Sequence, residues 1–512
     1  MSQRKVGVIL SYINLAIGLL INVFLTPILI NYFGDLDYSI YKVMQSFAGP
    51  LTMFNLGIST VVTRCISKID KLGINAEKEK KNTIAISMIV SVIMSVLVII
   101  VGIFMCFLIP NIYGNTYSAE YVLLAQKIFI IFMLSAVVHM LTDSFSGCIL
   151  GHEKYVVSAA IPIVKNVIRV VLTLLFLSLG LGVLYVAIVD LIYAIVIFIF
   201  SCLYSLIKLK EIPKLIYWDK KQVIEILLFG LALLLQAIVT QVNNNVDTLI
   251  LGAFVEEKRI ITMYSSALVI FAFYNSLISE ITKFFLPKAT KLVSSNASGK
   301  ELTDFIIYPG RWQAVIAVGC IAGFALFGEN FISIWIGDNY KDAYLVALIL
   351  MLPVTIPLVE NAAISILDAT LKRLFRSVVL IVMAVVNVII SIFLVQLIGF
   401  WGAVLGTVIS LLIGHGLLMN MYYAKTFKIE IFRMFKEIFK GILPAGVLSI
   451  IVSIPLLFLG NSLFFFVIKC IVFIILYLVF LMLFGFKKTE KMFVFQIVNK
   501  SFAFLKNKNN KI

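Results

Sequence analysis

Of the 512 residues, 62% are hydrophobic and 13% are charged, about half the charged share of a soluble domain, which excludes a water-soluble globular protein. The net charge of +16 comes from 42 basic against 26 acidic residues, but the Lys and Arg gather in short loops between apolar runs, a pattern of membrane topology and not of nucleic-acid binding. The six cysteines lie singly in or beside apolar segments without ligand spacing, so they read as small hydrophobes, and neither a disulfide framework nor a metal site is expected.

The chain opens with Arg4-Lys5 and an apolar run to Phe33, too long for the core of a signal peptide and lacking its small-residue exit. It reads as an uncleaved first span. Apolar windows of about 20 residues continue to the end and give roughly fourteen spans. They cover residues 6–33, 38–63, 83–109, 119–149, 155–179, 182–207, 224–254, 260–286, 305–331, 343–368, 375–397, 400–424, 438–459 and 462–486. Basic residues follow the even-numbered spans, as in Arg64, Lys68, Lys71, Lys78, Lys80 and Lys81 after span 2. The intervening loops are poor in them or balance them with acids, which places both termini on the cytoplasmic side. Two basic stretches, 425–440 and 488–506, alternate Lys or Arg with Phe and Ile; each reads either as an interfacial helix on an anionic leaflet or as a solvated basic flank.

An internal repeat accompanies this pattern. Residues 114–121 match 337–344 in Gly, Tyr and Tyr, and Gly180-Leu181-Gly182 resembles Gly399-Phe400-Trp401-Gly402 after a one-residue adjustment. The offset of about 220 residues, or six spans, implies two parallel copies related by an axis along the membrane normal. The expected division is a first lobe at 1–210, a second at 211–424, an interfacial helix with spans 13 and 14 at 425–486, and a basic tail at 487–512.

Charged residues inside spans are expensive and mark partners or cavities. In span 5, Lys165 and Arg169 lie roughly 15 and 21 Å from Tyr155 at 1.5 Å per residue, one turn apart on one face. They suit an anionic group, Arg as a planar fork and Lys as a point charge; the alternative is an internal ion pair with Asp190 of span 6. His139 and Asp143, also one turn apart, could carry a coupling proton or simply pack and neutralise Lys165. The run Gln241 to Asp247 is unusually polar for a span. Its Asn243 and Asn244 could bind sugar hydroxyls, and its oxygens a cation, or all could bond between helices. Asp190, Asp247, Glu280 and Glu360 complete the ion-coupling candidates. Glu280 and Lys283 could instead neutralise each other, and Arg311 with Glu360 reads as an interhelical salt bridge.

The residues Leu25 to Tyr41, Asn55 to Ser59, Ile149 to Tyr155, Asp247 to Gly252 and Ile334 to Tyr340 resemble, in order and spacing, the multidrug/oligosaccharidyl-lipid/polysaccharide (MOP) exporter superfamily, and within it the bacterial polysaccharide repeat-unit flippases. The resemblance implies an all-α polytopic membrane protein with two six-helix lobes around a central cavity plus two C-terminal helices. It also implies alternating access in the bacterial inner membrane, with an undecaprenyl-diphosphate-linked oligosaccharide as cargo for O-antigen, lipopolysaccharide or capsule synthesis. Basic residues on helices 2 and 8 of lipid II relatives line the cavity, which adds Lys42, Arg64 and Lys283 to the diphosphate-binding candidates. No cofactor is implied beyond a coupling H+ or Na+. The implied partners are the lipid-linked oligosaccharide, membrane lipids, and the polysaccharide polymerase and chain-length machinery. Competing readings are a multidrug cation antiporter of the same superfamily, disfavoured by basic mid-membrane charge, and a membrane glycosyltransferase or polymerase. The second would need a sizeable loop or a carboxylate constellation, and the sequence offers neither, so no catalytic residue is assigned.

Overall fold

The computed structural model describes residues 3–55, 57–69, 76–218, 220, 223–224, 245–279, 286–295, 297–370, 372–492 and 495–496. The regular structure of the described residues is helical throughout. In chain order the helices are α1 (Gln3–Ala48), α2 (Ile58–Ile69), α3 (Ala76–Tyr113), α4 (Ala119–Gly151), α5 (Tyr155–Ser178) and α6 (Val183–Leu203). Then come α7 (Asn245–Phe254), α8 (Lys258–Ser279), α9 (Leu286–Ser294), α10 (Gly299–Trp335), α11 (Ala343–Val359) and α12 (Ala362–Ala369). The last are α13 (Arg373–Ile398), α14 (Trp401–Leu411), α15 (Asn420–Phe427), α16 (Ile431–Phe439), α17 (Ile442–Ser453) and α18 (Leu463–Phe480). A wide π-helical turn, Leu412–Met419, runs α14 into α15.

Among the described residues, 12 helical segments are long and apolar enough to cross a membrane. Expected span 1 and the start of span 2 lie in α1, as two helices that meet at a kink, and the rest of span 2 lies in the turn 49–55 and α2. The 46 residues of α1 would reach about 69 Å if straight, twice a bilayer's thickness. Gly34 breaks it at φ 71°, ψ −177°, a conformation open essentially to glycine. Expected span 7 lies mostly outside the described residues, and α7 is its end. Span 9 begins earlier than its apolar window because Ser298 and Glu301 form a capping box, which starts α10 in the polar residues ahead of the apolar run.

The chain divides into two compact units, one of residues 1–269 with 380–407 and one of 270–379 with 408–512. In the first, α4 packs against α1, α2, α3, α5 and α6. Without a hydrophobic drive between helices in lipid, such contacts rely on small and hydroxylated residues. Ser91 and Ser144 meet at 3.0 Å between α3 and α4. A Cβ on Gly147 would fall 2.6 Å from the Ser59 carbonyl of α2, and the Thr63 hydroxyl donates to the Gly147 carbonyl at 3.1 Å. Asn166 of α5 donates to Asn14 of α1 at 3.0 Å. Gly180 (φ 75°) and Gly399 (φ 63°) make left-handed turns at corresponding points of the sequence repeat.

In the second unit α10 is central and packs against α11, α12, α16, α17 and α18. Gly319 and Gly323 of α10 lie directly beneath the Tyr477 and Phe473 rings of α18. The expected Arg311–Glu360 bridge is not formed. Arg311 turns to Glu490, through Nε at 2.6 Å and Nη2 at 3.0 Å. It also donates to the carbonyls of Glu437 (2.7 Å), Lys440 (3.2 Å) and Gly485 (2.7 Å). Carbonyls left unbonded at two helix ends plus a carboxylate satisfy a guanidinium fork better than one glutamate could.

Candidate functional site

The strongest concentration of intramembrane charge lies in the first unit, on α1, α5 and α6. The Gly34 kink carries the second half of α1 back into the apolar region with Tyr38, Tyr41 and Lys42. Arg169 Nε lies 3.5 Å from Asp190 Oδ1. Lys165 Nζ sits over the Tyr193 ring at 4.6 Å, and Tyr193 stands one turn after Asp190 on α6. Lys42 Nζ is 5.6 Å from the Tyr38 ring centroid and 5.9 Å from that of Tyr41, with Gln45 Oε1 at 3.5 Å. Arg169, Lys165 and Lys42 all act electrostatically on Asp190, so three cations share one carboxylate.

Both readings of the span-5 pair therefore have structural content: Asp190 holds Arg169, and two positive charges remain without a carboxylate in the cluster. The Tyr faces stabilise the two lysines by cation–π attraction, a weak and displaceable contact beside an anion. Asp190 is 8% exposed at its side chain and Arg169 21%, so the guanidinium retains a route outward. The Asp190 backbone is fixed by Ser135 of α4, which donates to its carbonyl at 3.1 Å.

His139 faces Tyr193, ring to ring at 5.8 Å, and feels Lys165. Asp143 has Asn55 as its polar neighbour, and its Oδ2 is buried without a partner. The two candidates thus divide between different neighbours. Arg64 is exposed on α2. Asn243, Asn244, Glu280 and Lys283 lie outside the described residues.

Asp247 builds a second polar centre of the first unit. Its Oδ2 accepts from Tyr264 at 2.5 Å and from Thr407 at 2.7 Å. Asn387 donates to the Thr407 hydroxyl at 3.3 Å, and Ser391 donates to Asn387 Oδ1 at 3.1 Å. Asp247 Oδ1 is buried with no partner. The unpartnered carboxylate oxygen is the group of this network left open to a proton or a hard cation, which takes oxygen ligands. Glu360, in the other unit, is buried near Asn420 and Arg376, with Oε2 unpartnered.

Sequence reading missed Tyr38, Tyr41 and Tyr193 beside the cations, and Tyr264, Asn387, Ser391 and Thr407 beside Asp247. The available signals were Tyr41 adjoining Lys42, and Asn387 with Ser391 one turn apart in an otherwise apolar span.

A comparison with protein families matches residues 4–293 to the family described as polysaccharide biosynthesis protein. The chain belongs to the polysaccharide biosynthesis protein family. No curated protein matches it. Among solved structures it resembles the lipid II flippase MurJ in an inward closed conformation, with TM-score 0.71 and 18% identity over 93% of this chain and 97% of that one. It also resembles a MATE-family multidrug resistance transporter of the MOP superfamily, inward-facing, with TM-score 0.63 and 15% identity over 82% of this chain and 99% of that one. An outward-facing MATE structure follows, with TM-score 0.54 and 16% identity over 83% and 98%. The family member thus shares the polytopic helical fold of these solved structures.

Proposed function

We propose that this family member is a flippase carrying an undecaprenyl-diphosphate-linked oligosaccharide repeat unit across the bacterial inner membrane, with both termini cytoplasmic and two lobes rocking about the cargo. The carrying observation is the cluster of Lys42, Lys165 and Arg169 around the single carboxylate of Asp190. A diphosphate supplies the missing negative charge, and hydrogen bonds from Arg to phosphate strengthen in a medium of low dielectric. Asp190 holds Arg169 when no cargo is present and yields it when the diphosphate arrives. Coupling to a cation gradient is assigned to Asp247, whose buried and unpartnered Oδ1 is the oxygen open to H+ or Na+. A cationic-drug extruder is disfavoured because its site needs the opposite sign of charge.

The test is flipping of a lipid-linked oligosaccharide in proteoliposomes, comparing wild type with Lys165→Gln and Arg169→Gln at matched amounts of folded protein. The reading expects active wild type and loss of flipping in both variants. Inactive, well-folded wild type with an authentic donor, or unimpaired variants, would overturn it.

A further inference from the structure

The helix α16 joins the membrane segment that ends at Phe427 to the one continued by α17, so connectivity alone holds it at a bilayer surface. Its two faces differ sharply. Met434 (1% exposed) and Ile438 (0%) turn inward, where α16 packs on α10. Phe432 lies two residues, about 200° of helical rotation, from Met434, and is 84% exposed. Phe435 and Phe439 flank it one and two turns on, their rings stacked at 6.5 Å. Lys436, on the turn after Phe432, is exposed, as are Lys425 and Lys428 just before the helix.

These lysines are distinct from the other basic residues nearby. Arg433 is held by Asp304 and Glu430, Lys440 lies 3.7 Å from Glu437, and Lys487 is 2.7 Å from Glu437. Among the described residues no carboxylate lies within salt-bridge distance of Lys425, Lys428 or Lys436. The Arg311 bonds to the Glu437 and Lys440 carbonyls at the end of α16 hold it against the second unit with Phe432 and Lys436 outward together.

We propose that α16 with Lys425, Lys428 and Lys436 is a binding site for acidic phospholipid headgroups in the leaflet bordering this loop. The phenylalanines enter the acyl boundary, and the lysines meet lipid phosphates at its rim, as an amphipathic interfacial helix does. Of the two sequence readings for residues 425–440, the aromatic face favours the interfacial one, because a solvated basic flank has no use for an exposed Phe432 flanked by the half-buried Phe435 and Phe439. The site is independent of which cargo the transporter carries.

The test uses the full-length protein in vesicles, with Phe432→Trp as a reporter and the wild-type spectrum subtracted to remove the native tryptophans. Vesicles contain brominated phosphatidylglycerol in phosphatidylcholine, or brominated phosphatidylcholine in phosphatidylglycerol, at equal mole fractions. The proposal expects blue-shifted emission quenched more strongly by the brominated acidic lipid. That preference should fall by about fivefold for each lysine replaced in Lys425→Gln, Lys428→Gln and Lys436→Gln, and should vanish in about 1 M salt. Red-shifted, unquenched emission would overturn it in favour of a solvated face. Equal quenching by both lipids would reduce α16 to an apolar anchor and overturn the headgroup site. A preference that survives in the triple Gln variant would overturn the role of these lysines. The three lysine side chains are exposed, and Gln keeps the Cβ and backbone by which Lys428 lies against Gly299 of α10, so the variants are expected to fold.

Discussion

If Asp190 competes with the cargo for Arg169, replacing either partner should move anion binding in opposite directions. The two groups are 3.5 Å apart, which gives an attraction of about 5 kcal/mol at an effective dielectric constant near 20. Desolvation offsets much of it, and a charge-assisted hydrogen bond contributes a net of about 1.5–3 kcal/mol. Arg169→Gln is therefore expected to weaken binding of farnesyl diphosphate, a short polyprenyl diphosphate, by roughly 10- to 150-fold. Asp190→Asn removes the competitor and raises the cluster by one positive charge, so the same probe should bind more tightly. It should also slow turnover, because release loses the group that recaptures Arg169. Isothermal titration calorimetry on detergent-purified protein reads both affinities. An unpaired buried cation can destabilise the fold by several kcal/mol, so each variant must first elute as a monodisperse peak. Weaker binding by a folded Asp190→Asn, or unchanged binding by Arg169→Gln, would refute the competition and leave the pair as structural.

Three further outcomes are expected. His152, just past the end of α4, accommodates Cys148 Sγ at 3.8 Å, the Cys148 carbonyl at 2.9 Å and Glu211 at 3.0 Å; contact with Cys148 and then Glu211 raises its pKa to about 10. Its folded pKa exceeds the unfolded one near 6.5, so its contribution is complete below about pH 6.5 and fades as pH rises to about 10. Thermal melts of His152→Gln should fall below wild type at pH 6 and converge with it above about pH 10. Arg311→Leu strands the buried Glu490 carboxylate at an expected cost of about 3–5 kcal/mol, so limited trypsin digestion should cut at Lys487, Lys488 and Lys491 faster than in wild type. Gly34→Ala forces a side chain into a conformation costing about 1–3 kcal/mol and should lower the melting temperature measured by fluorescence-detected size exclusion.

Much of the fold was legible because span detection is a local problem. A window of apolar residues must become a helix in lipid, since each backbone polar group has to be bonded within its own segment. The meeting of Arg169 with Asp190 followed in the same way, from counting residues at a fixed rise along two consecutive antiparallel spans. The break between the first two spans was legible too, since Gly34 falls between their apolar windows; what hydropathy did not show was the turn at 49–55 that interrupts the second span before α2. Nor did hydropathy show that the capping box would carry α10 beyond its apolar window.

Rotation about each helix axis and the meeting of distant residues belong to the tertiary structure alone. The sequence placed Lys42 on span 2 but could not aim it at Asp190, and it paired Arg311 with Glu360 by depth when the partner was Glu490, 179 residues away. Asp247 was visible as a polar residue in an apolar span; only packing brought Thr407 and Tyr264 to its carboxylate. The sequence by itself determined a polytopic membrane chain with buried charge, because transfer into lipid acts on each segment separately. The tertiary structure decided which charges meet, because the free energy of a pair depends on distance and direction that no single helix contains.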